Sequence, residues 1–383
     1  MISRADKSGF AVWWWTIDRW TLFIVLALIS IGLILAFAAS PAATGGPMSA
    51  GNFYYALKQA GFAAAAAVIL IAASTLSVEA LKTTAAVVFA LALIGSIVVL
   101  FAGHEVLGAK RSIDFGGLTL QPSEFLKPGF AILGAAILAD RWPMRLRKEL
   151  VTFLLIAPAI PILMLQPDVG QTGLLLALWG ALLFFAGLPA IWIGAFVGGS
   201  AGIGVLAYTL FPYIQHRFAQ FLTSGDPGYQ AVLSLQAFQR GGLFGVGPGA
   251  GTIKYRIPDV HSDFIFAVAG EEFGLVLCGV IAALFCALTV RLLLRSAHAR
   301  DPFTQLAGAG LAVVLAVQAF INMGVAVSLL PAKGMTLPLI SYGGSSLFAV
   351  ALTVGFALAV TRQRPQMPSR EPRVQTILGG RVA

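Results

Sequence analysis

The sequence predicts an all-α polytopic membrane protein of about ten transmembrane helices, with a large extracytoplasmic loop between spans 7 and 8. Three observations carry that prediction. Of 383 residues, 58% are hydrophobic and only 11% charged, against roughly 25% charged in soluble domains, and mean hydropathy is +0.88. The apolar residues fall in ten runs, near 20–39, 53–73, 83–102, 124–140, 150–166, 171–187, 190–211, 263–291, 304–330 and 337–361. Lys and Arg gather in the short segments between alternate runs. With both termini cytoplasmic, the cytoplasmic side holds 16 of the 25 Lys and Arg residues, as the positive-inside rule requires. The formal net charge of +9 therefore reads as orientation, and no contiguous basic face outside the tail suggests nucleic acid.

The first element has a rival reading. Arg4 and Lys7 precede an apolar stretch, and Ala36-Phe37-Ala38 resembles a signal-peptidase site. Yet Trp20 to Ala39 is long enough to span a bilayer, and Trp13, Trp14 and Trp15 sit where an interfacial belt belongs. A retained first helix follows, after a cytoplasmic segment 1–19. The fifth run is short and holds Pro158 and Pro161, which leaves its limits loose. Cys278 and Cys286 share one apolar run and read as packing residues. The membrane domain spans 20–362. The tail 363–383, rich in Pro and Arg, is expected to be disordered and cytoplasmic.

Two outer loops stand apart from the short, basic inner ones. The first, 103–123, carries Glu105, Lys110, Arg111, Asp114 and Gln121; the second, 212–262, is about fifty residues long. Loops of that length are functional or disordered. Within the second, Tyr229 to Arg240 reads as an amphipathic helix with Val232, Leu235 and Phe238 on one face. Gly241 to Gly251 is glycine-dense but lacks the strand before it and the Lys-Ser/Thr ending of a phosphate-binding loop, so a tight re-entrant turn is expected.

Four polar groups interrupt the apolar pattern. Asp263 closes Pro258-Asp259-Val260-His261-Ser262-Asp263 at the mouth of the eighth run; it is either the cap of that helix or a reactive carboxylate. Glu271 and Glu272 lie two turns further in, and at least one is expected to face a polar cavity. Glu124 and Lys127 share one face of the fourth run, where they either neutralise each other or engage a ligand. Asp168, in Gln166-Pro167-Asp168-Val169-Gly170-Gln171, either caps the sixth run or orients a cation or sugar hydroxyl. Lys110 and Arg111 add two cations beside the outer leaflet. The stretch Leu330 to Ser346 is broken by Pro, Gly and Ser, which lipid tolerates only where such backbone lines a cavity or is buried in protein.

With these residues laid out, the chain resembles the SEDS (shape, elongation, division, sporulation) family of bacterial membrane proteins, from the first span to about Arg362. The resemblance rests on Pro258 to Phe266, Gln121 to Lys127, and Lys333-Gly334-Met335-Thr336-Leu337-Pro338-Leu339-Ile340-Ser341-Tyr342-Gly343-Gly344-Ser345-Ser346. The Lys-Gly-x-Thr-Leu-Pro form is similar to the cell-division branch rather than the elongation branch. The resemblance implies a peptidoglycan glycosyltransferase of the bacterial cytoplasmic (inner) membrane. It would polymerise lipid II at the division septum on the extracytoplasmic face, alongside a class B penicillin-binding protein (an FtsI-like transpeptidase) and other divisome proteins.

It also implies that Asp263 is catalytic and that Glu124, Lys127 and Asp168 match the family's functional positions. Lys110 and Arg111 align with a motif that often reads Arg-Trp, whereas Ser112 stands here in place of the Trp. His261, Lys333 and Ser341, which lie within the motifs, are further substrate-binding candidates. Glycosyl transfer needs a base for the acceptor hydroxyl and cations for the departing pyrophosphate. Asp263 is the expected base; Lys110, Arg111 and Lys127 are the expected cations. A divalent ion, Mg or Mn, would arrive with substrate, since no His/Cys cluster is evident and no organic cofactor is expected. A lipid II flippase and a non-catalytic divisome scaffold are the readings from other classes.

Overall fold

The computed structural model describes residues 8–44, 53–106, 109–114, 116, 118–140, 147–188, 190–210, 215, 229–331 and 334–362. Residues 1–7, most of the first half of the long outer loop, Lys333 and the tail 363–383 lie outside the described residues.

Every expected apolar run is helical over most of its length. After a short helix α1 (Gly9–Thr16) come α2 (Arg19–Ala43), α3 (Tyr54–Ser74), α4 (Val78–Ala102) and α5 (Ser123–Ala139). They are followed by α6 (Lys148–Ile156), α7 (Ala159–Leu165), α8 (Val169–Phe185), α9 (Ala190–Leu210) and α10 (Tyr229–Gly241). The last three are α11 (Ile265–Ala297), α12 (Pro302–Ala326) and α13 (Gly344–Val360). Among the described residues, six helical stretches are long and apolar enough to cross a membrane: α2, α3, α4, the α6–α7 pair, α11 and α12. The apolar helices α8 and α13 are shorter, at 17 residues each. Pro158 separates α6 from α7, as a proline inside a helical run does.

The bundle is organised around α12, which packs against α5, α8, α11 and α13, while α13 lies along α3 and α4 along α5. Its start is set by Asp301, whose carboxylate accepts from the Thr304 amide at 3.0 Å, with Pro302 opening the helix. Helix α4 begins at Val78, five residues before the expected run. Ser77 caps it through the Ala80 amide (3.1 Å), and Lys82 finds the Phe303 ring 4.4 Å away, so an early cation is accommodated in the helix.

Three expectations are revised. The outer loop 103–123 is a small antiparallel meander, β1 (His104–Val106), β2 (Ala109–Asp114) and β3 (Thr119–Leu120), in the order β1-β2-β3. The helix over 229–241 forms as expected, but its most buried positions are Ala231, Leu233, Ser234 and Ala237, while Val232, Leu235 and Phe238 are half-buried. The reason is close docking on protein: Ser234 donates to the Ala326 carbonyl (2.6 Å), and small residues let the helix approach α11 and α12. Finally, 337–343 is an irregular turn and not the start of α13; the Leu337 amide and the Ser341 hydroxyl close it at 2.8 Å.

At the far end of α11, Arg291 donates to both Asp18 carboxylate oxygens (2.7 and 2.6 Å) and Arg295 to one (3.4 Å), tying α11 to the start of α2. Burial alone raises the Asp18 pKa. Hydrogen bonds from Arg291 and Thr21, with the charges of Arg295 and Arg291, outweigh it and hold the carboxyl below its ordinary value. A lowered carboxylate pKa stabilises the fold above the unfolded pKa, and that contribution is lost as pH falls through the folded one. Asp18→Asn is therefore expected to lower the midpoint of thermal unfolding at neutral pH by the equivalent of about 1–3 kcal/mol. The gap between variant and parent should begin to narrow as the pH falls below 3.8 and close only below the lower folded-state value. A gap unchanged by pH would assign the loss to something other than this ion pair.

Candidate active site

Asp263 is presented by a turn, not by the helix it precedes. Asp259 takes φ = 50°, a left-handed conformation that Asp adopts more readily than most residues. Its carbonyl then receives the amides of Ser262 (3.1 Å) and Asp263 (3.0 Å). Helix α11 starts at Ile265 with Phe264 as its flanking residue and no side-chain cap, so the Asp263 carboxylate is not the N-cap. The turn is pinned from α12: the Asn322 amide donates to the Asp263 carbonyl (2.9 Å) and to the Met335 carbonyl (2.6 Å). This joins Pro258–Asp263 to the stretch that enters α13.

Gly334 marks where these segments meet. Its φ of 60° is left-handed, and a Cβ there would stand 3.3 Å from Asp263 Oδ2 and 3.9 Å from Arg111 Nη1. A carboxylate from one outer loop and a guanidinium from the other thus converge at one bare backbone position. Arg111 reaches this point from β2 while donating to the carbonyls of Gln166 (3.3 Å) and Pro167 (2.6 Å). Successive side chains of a strand alternate in direction, so Lys110 lies on the opposite face of β2 from Arg111. The meander brings one of the two expected cations to Asp263 and turns the other away.

Asp168 is buried and does cap α8, accepting from the Gln171 amide at 3.3 Å, while its other oxygen accepts from the Gln121 side chain at 3.1 Å. Burial raises its pKa, against a smaller lowering by the Arg111 charge. Deeper in the bundle, Glu124 and Lys127 pair at 2.5 Å, both almost fully buried. Glu124 also accepts from the Gln171 side chain, and Lys127 donates to Gln318 (3.0 Å), whose amide reaches the Thr336 carbonyl (3.3 Å). Gln318 and Asn322 sit one turn apart on α12. Through them the Glu124–Lys127 pair, the 334–337 stretch and the backbone of Asp263 form one hydrogen-bonded frame.

His261 lies between two aromatic rings, with centroids 4.4 Å from Tyr55 and 5.2 Å from Tyr342, and burial lowers its pKa against an opposing charge on Asp259. Ser341 is structural in its contacts: it accepts from the Leu337 amide at 2.8 Å and donates to the Ser262 carbonyl at 2.5 Å. Lys333 lies outside the described residues.

Glu271 and Glu272 do not face a cavity. Both are buried, and both hold the glycine-dense turn before Asp263. Glu271 accepts the amides of Thr252, Ile253 and Lys254 (2.8, 2.8 and 2.9 Å); Glu272 accepts the Gly249 amide (2.8 Å) and pairs with the buried Lys254 ammonium at 2.5 Å. Helix α11 breaks at Gly274 (φ = 77°), where the carbonyls of Gly242 and Leu243 receive the amides of Leu275 and Val276. The re-entrant turn expected over 241–251 is therefore packed into a gap in α11. Carboxylates two turns inside an apolar helix find their partners in that inserted backbone, a placement no linear pattern displays.

Sequence reasoning passed over Gln318, Asn322, Gln171 and Gln59, whose side chain donates to the Ser341 carbonyl at 3.1 Å. The available signal was the i, i+4 pair of amides at Gln318 and Asn322 within an otherwise apolar helix. Among the described residues no three His, Cys, Asp or Glu side chains converge. A carboxylate facing a guanidinium, on a frame of buried amides, can accept a proton beside a stabilised anion.

Comparison with known proteins agrees with this architecture. Residues 19–366 match the family model for cell cycle proteins FtsW, RodA and SpoVE. The chain is 40% identical to the probable peptidoglycan glycosyltransferase FtsW of Caulobacter vibrioides, over 95% of this chain and 94% of that one. It is 34% identical to the protein of the same name from Coxiella burnetii, over 90% and 96% respectively. Among solved structures, a chain of a peptidoglycan synthase complex that coordinates polymerization and crosslinking superposes with a TM-score of 0.72 at 28% identity, covering 90% of this chain and 97% of that chain. The rod shape determining protein RodA of Thermus thermophilus superposes with a TM-score of 0.69 at 27% identity, covering 92% and 98%.

Proposed function

The chain belongs to the FtsW/RodA/SpoVE family of cell cycle proteins and is a multi-pass membrane peptidoglycan glycosyltransferase, and we propose that it polymerises lipid II with Asp263 as the general base. The observation that carries this reading is the convergence of Asp263 Oδ2 and Arg111 Nη1 on Gly334. In the reaction, the hydroxyl of an acceptor sugar attacks the anomeric carbon of a donor sugar linked to polyprenyl pyrophosphate. The Asp263 carboxylate takes the hydroxyl proton as the glycosidic bond forms. The pyrophosphate departs with the electron pair of the broken bond, and the Arg111 guanidinium offsets its charge. The Glu124–Lys127–Gln318 frame holds these parts in register, and Asp168 fixes the start of α8 beside Arg111. No step depends on a bound metal.

The orientation follows from the distribution of Lys and Arg: both termini cytoplasmic in the bacterial inner membrane, and Asp263 on the outer face where cell wall is made. The synthase-complex neighbour, which couples polymerization to crosslinking, supports a crosslinking partner; our reading makes that partner a class B penicillin-binding transpeptidase and the division septum the site of action. The test is to supply purified protein in liposomes with fluorescent lipid II while transpeptidation is blocked. Glycan chains are the expected product. Movement of lipid II between leaflets without chains would favour a flippase, and neither product, even with the partner present, would favour a scaffold.

Gly334 supplies a sharper prediction. A methyl there costs about 1 kcal/mol in left-handed backbone and would sit 3.3 Å from Asp263 Oδ2. Gly334→Ala is expected to cut the polymerisation rate far more than it lowers thermal stability. Equal, small effects on both would mean that the Asp263–Arg111 spacing does not matter to the rate.

A further inference from the structure

The end of the bundle opposite Asp263 carries a second feature that the reaction does not use. Between the start of α2 and the last turns of α11 lies a cavity of about 640 Å³, within the range of ligand sites. Its walls are apolar and open toward the surrounding medium: Trp20 is 65% exposed, Leu294 55% and Val290 46%. Its polar end is Arg291, Arg295 and His298.

Charge at that end is unbalanced. Asp18 is buried and satisfied by Arg291 and Arg295, but one carboxylate faces two guanidinium groups whose side chains are 30% and 32% exposed. Asp18 engages Nε and Nη2 of Arg291 and only Nη2 of Arg295, the latter at 3.4 Å. Arg295 is the more loosely held cation. A ligand that suits this site has a phosphate at one end and a long apolar body at the other. Free phosphate would leave the Trp20–Val290–Leu294 wall unused, and a neutral lipid would leave the excess charge unanswered.

We propose that this cavity is a binding site for an anionic phospholipid, its phosphate on Arg295 and its acyl chain along Trp20, Val290 and Leu294. The occupant comes from the bilayer itself, since the wall lies at a surface of helices that cross it. In the orientation argued above this is the cytoplasmic leaflet, where basic pockets between helices recognise acidic headgroups. Bound lipid would brace the α2–α11 junction that Asp18 already ties.

Native mass spectrometry of the intact protein, titrated with phosphatidylglycerol and with phosphatidylcholine of the same acyl chains, tests this. Wild type is expected to retain phosphatidylglycerol preferentially. Arg295→Gln, which leaves the bidentate Arg291–Asp18 pair in place, should weaken that retention roughly tenfold. Val290→Trp fills the apolar wall without touching charge and should also reduce it, so the test does not depend on one variant folding. Equal retention of both lipids by wild type, or undiminished retention of phosphatidylglycerol by the folded variants, would overturn the proposal. Displacement of the lipid by millimolar inorganic phosphate would also overturn it, because it would reduce the site to a headgroup contact.

Discussion

Asp263→Asn is expected to abolish measurable glycan synthesis while leaving a folded protein. The two halves of this expectation have separate grounds. Asn keeps the size of the side chain, and the turn that presents position 263 is built from backbone: the Asp259 carbonyl accepts from the residue's amide, and the Asn322 side-chain amide donates to its carbonyl. Neither bond involves the carboxylate. Since the carboxylate is also not the cap of α11, its loss removes no helix-terminal hydrogen bond. The chemistry is another matter, because an amide cannot accept the hydroxyl proton of the acceptor sugar. General-base catalysis contributes about 10²–10⁴-fold to rate, which places the variant near the floor of a polymerisation assay. Asp263→Glu keeps the base but moves it by one methylene toward Gly334 and Arg111, so an intermediate rate is expected. If Asn and Glu variants were equally inactive and both unfolded, the residue would be structural.

The second large effect concerns folding. Lys254 is 1% exposed, and its ammonium bonds to Glu272 (2.5 Å) and to the Ala38 carbonyl of α2 (2.6 Å). Lys254→Met leaves the Glu272 carboxylate buried without its counter-charge, and breaking one side of such a pair costs about 3–5 kcal/mol. A drop in thermal stability large enough to deplete folded protein is expected. The double variant Lys254→Met/Glu272→Gln removes the stranded charge and should recover part of the loss, which a thermal-unfolding comparison of the three proteins would show. No recovery would mean that Lys254 acts through its contact with α2 and not through the ion pair. The consequence for function is indirect. The Glu271–Glu272–Lys254 cluster fixes residues 249–254 just ahead of the turn that carries Asp263, so partial loosening should lower activity before the protein unfolds.

The apolar runs made the helices readable, because lipid demands long uninterrupted apolar segments and the sequence has little else. Asp263, Glu124, Lys127 and Asp168 were readable for the converse reason: a charge in such a setting is conspicuous. Their partners were harder to see. Gln318 and Asn322 carry no charge and sit in an apolar helix, yet they connect Lys127 to the backbone of Asp263. Lys110 and Arg111 looked like a pair of cations, but a strand places neighbours on opposite faces, and the strand itself was hidden in what read as a loop. At least one of Glu271 and Glu272 was expected at a cavity because depth alone was visible. Their partners are the amides of a turn inserted at the Gly274 break, and insertion is a tertiary fact that spacing along the chain does not encode.

The account turns on Asp263 as the base, and the most direct test is the initial rate of glycan formation from lipid II by wild type and Asp263→Asn. Both would be purified with the partner transpeptidase, inhibited in its crosslinking, and normalised to folded protein. Chains from the wild type and none above background from the variant is the predicted result. Equal rates from the two would contradict it and move the base elsewhere in the frame, with Glu124 the next carboxylate to test.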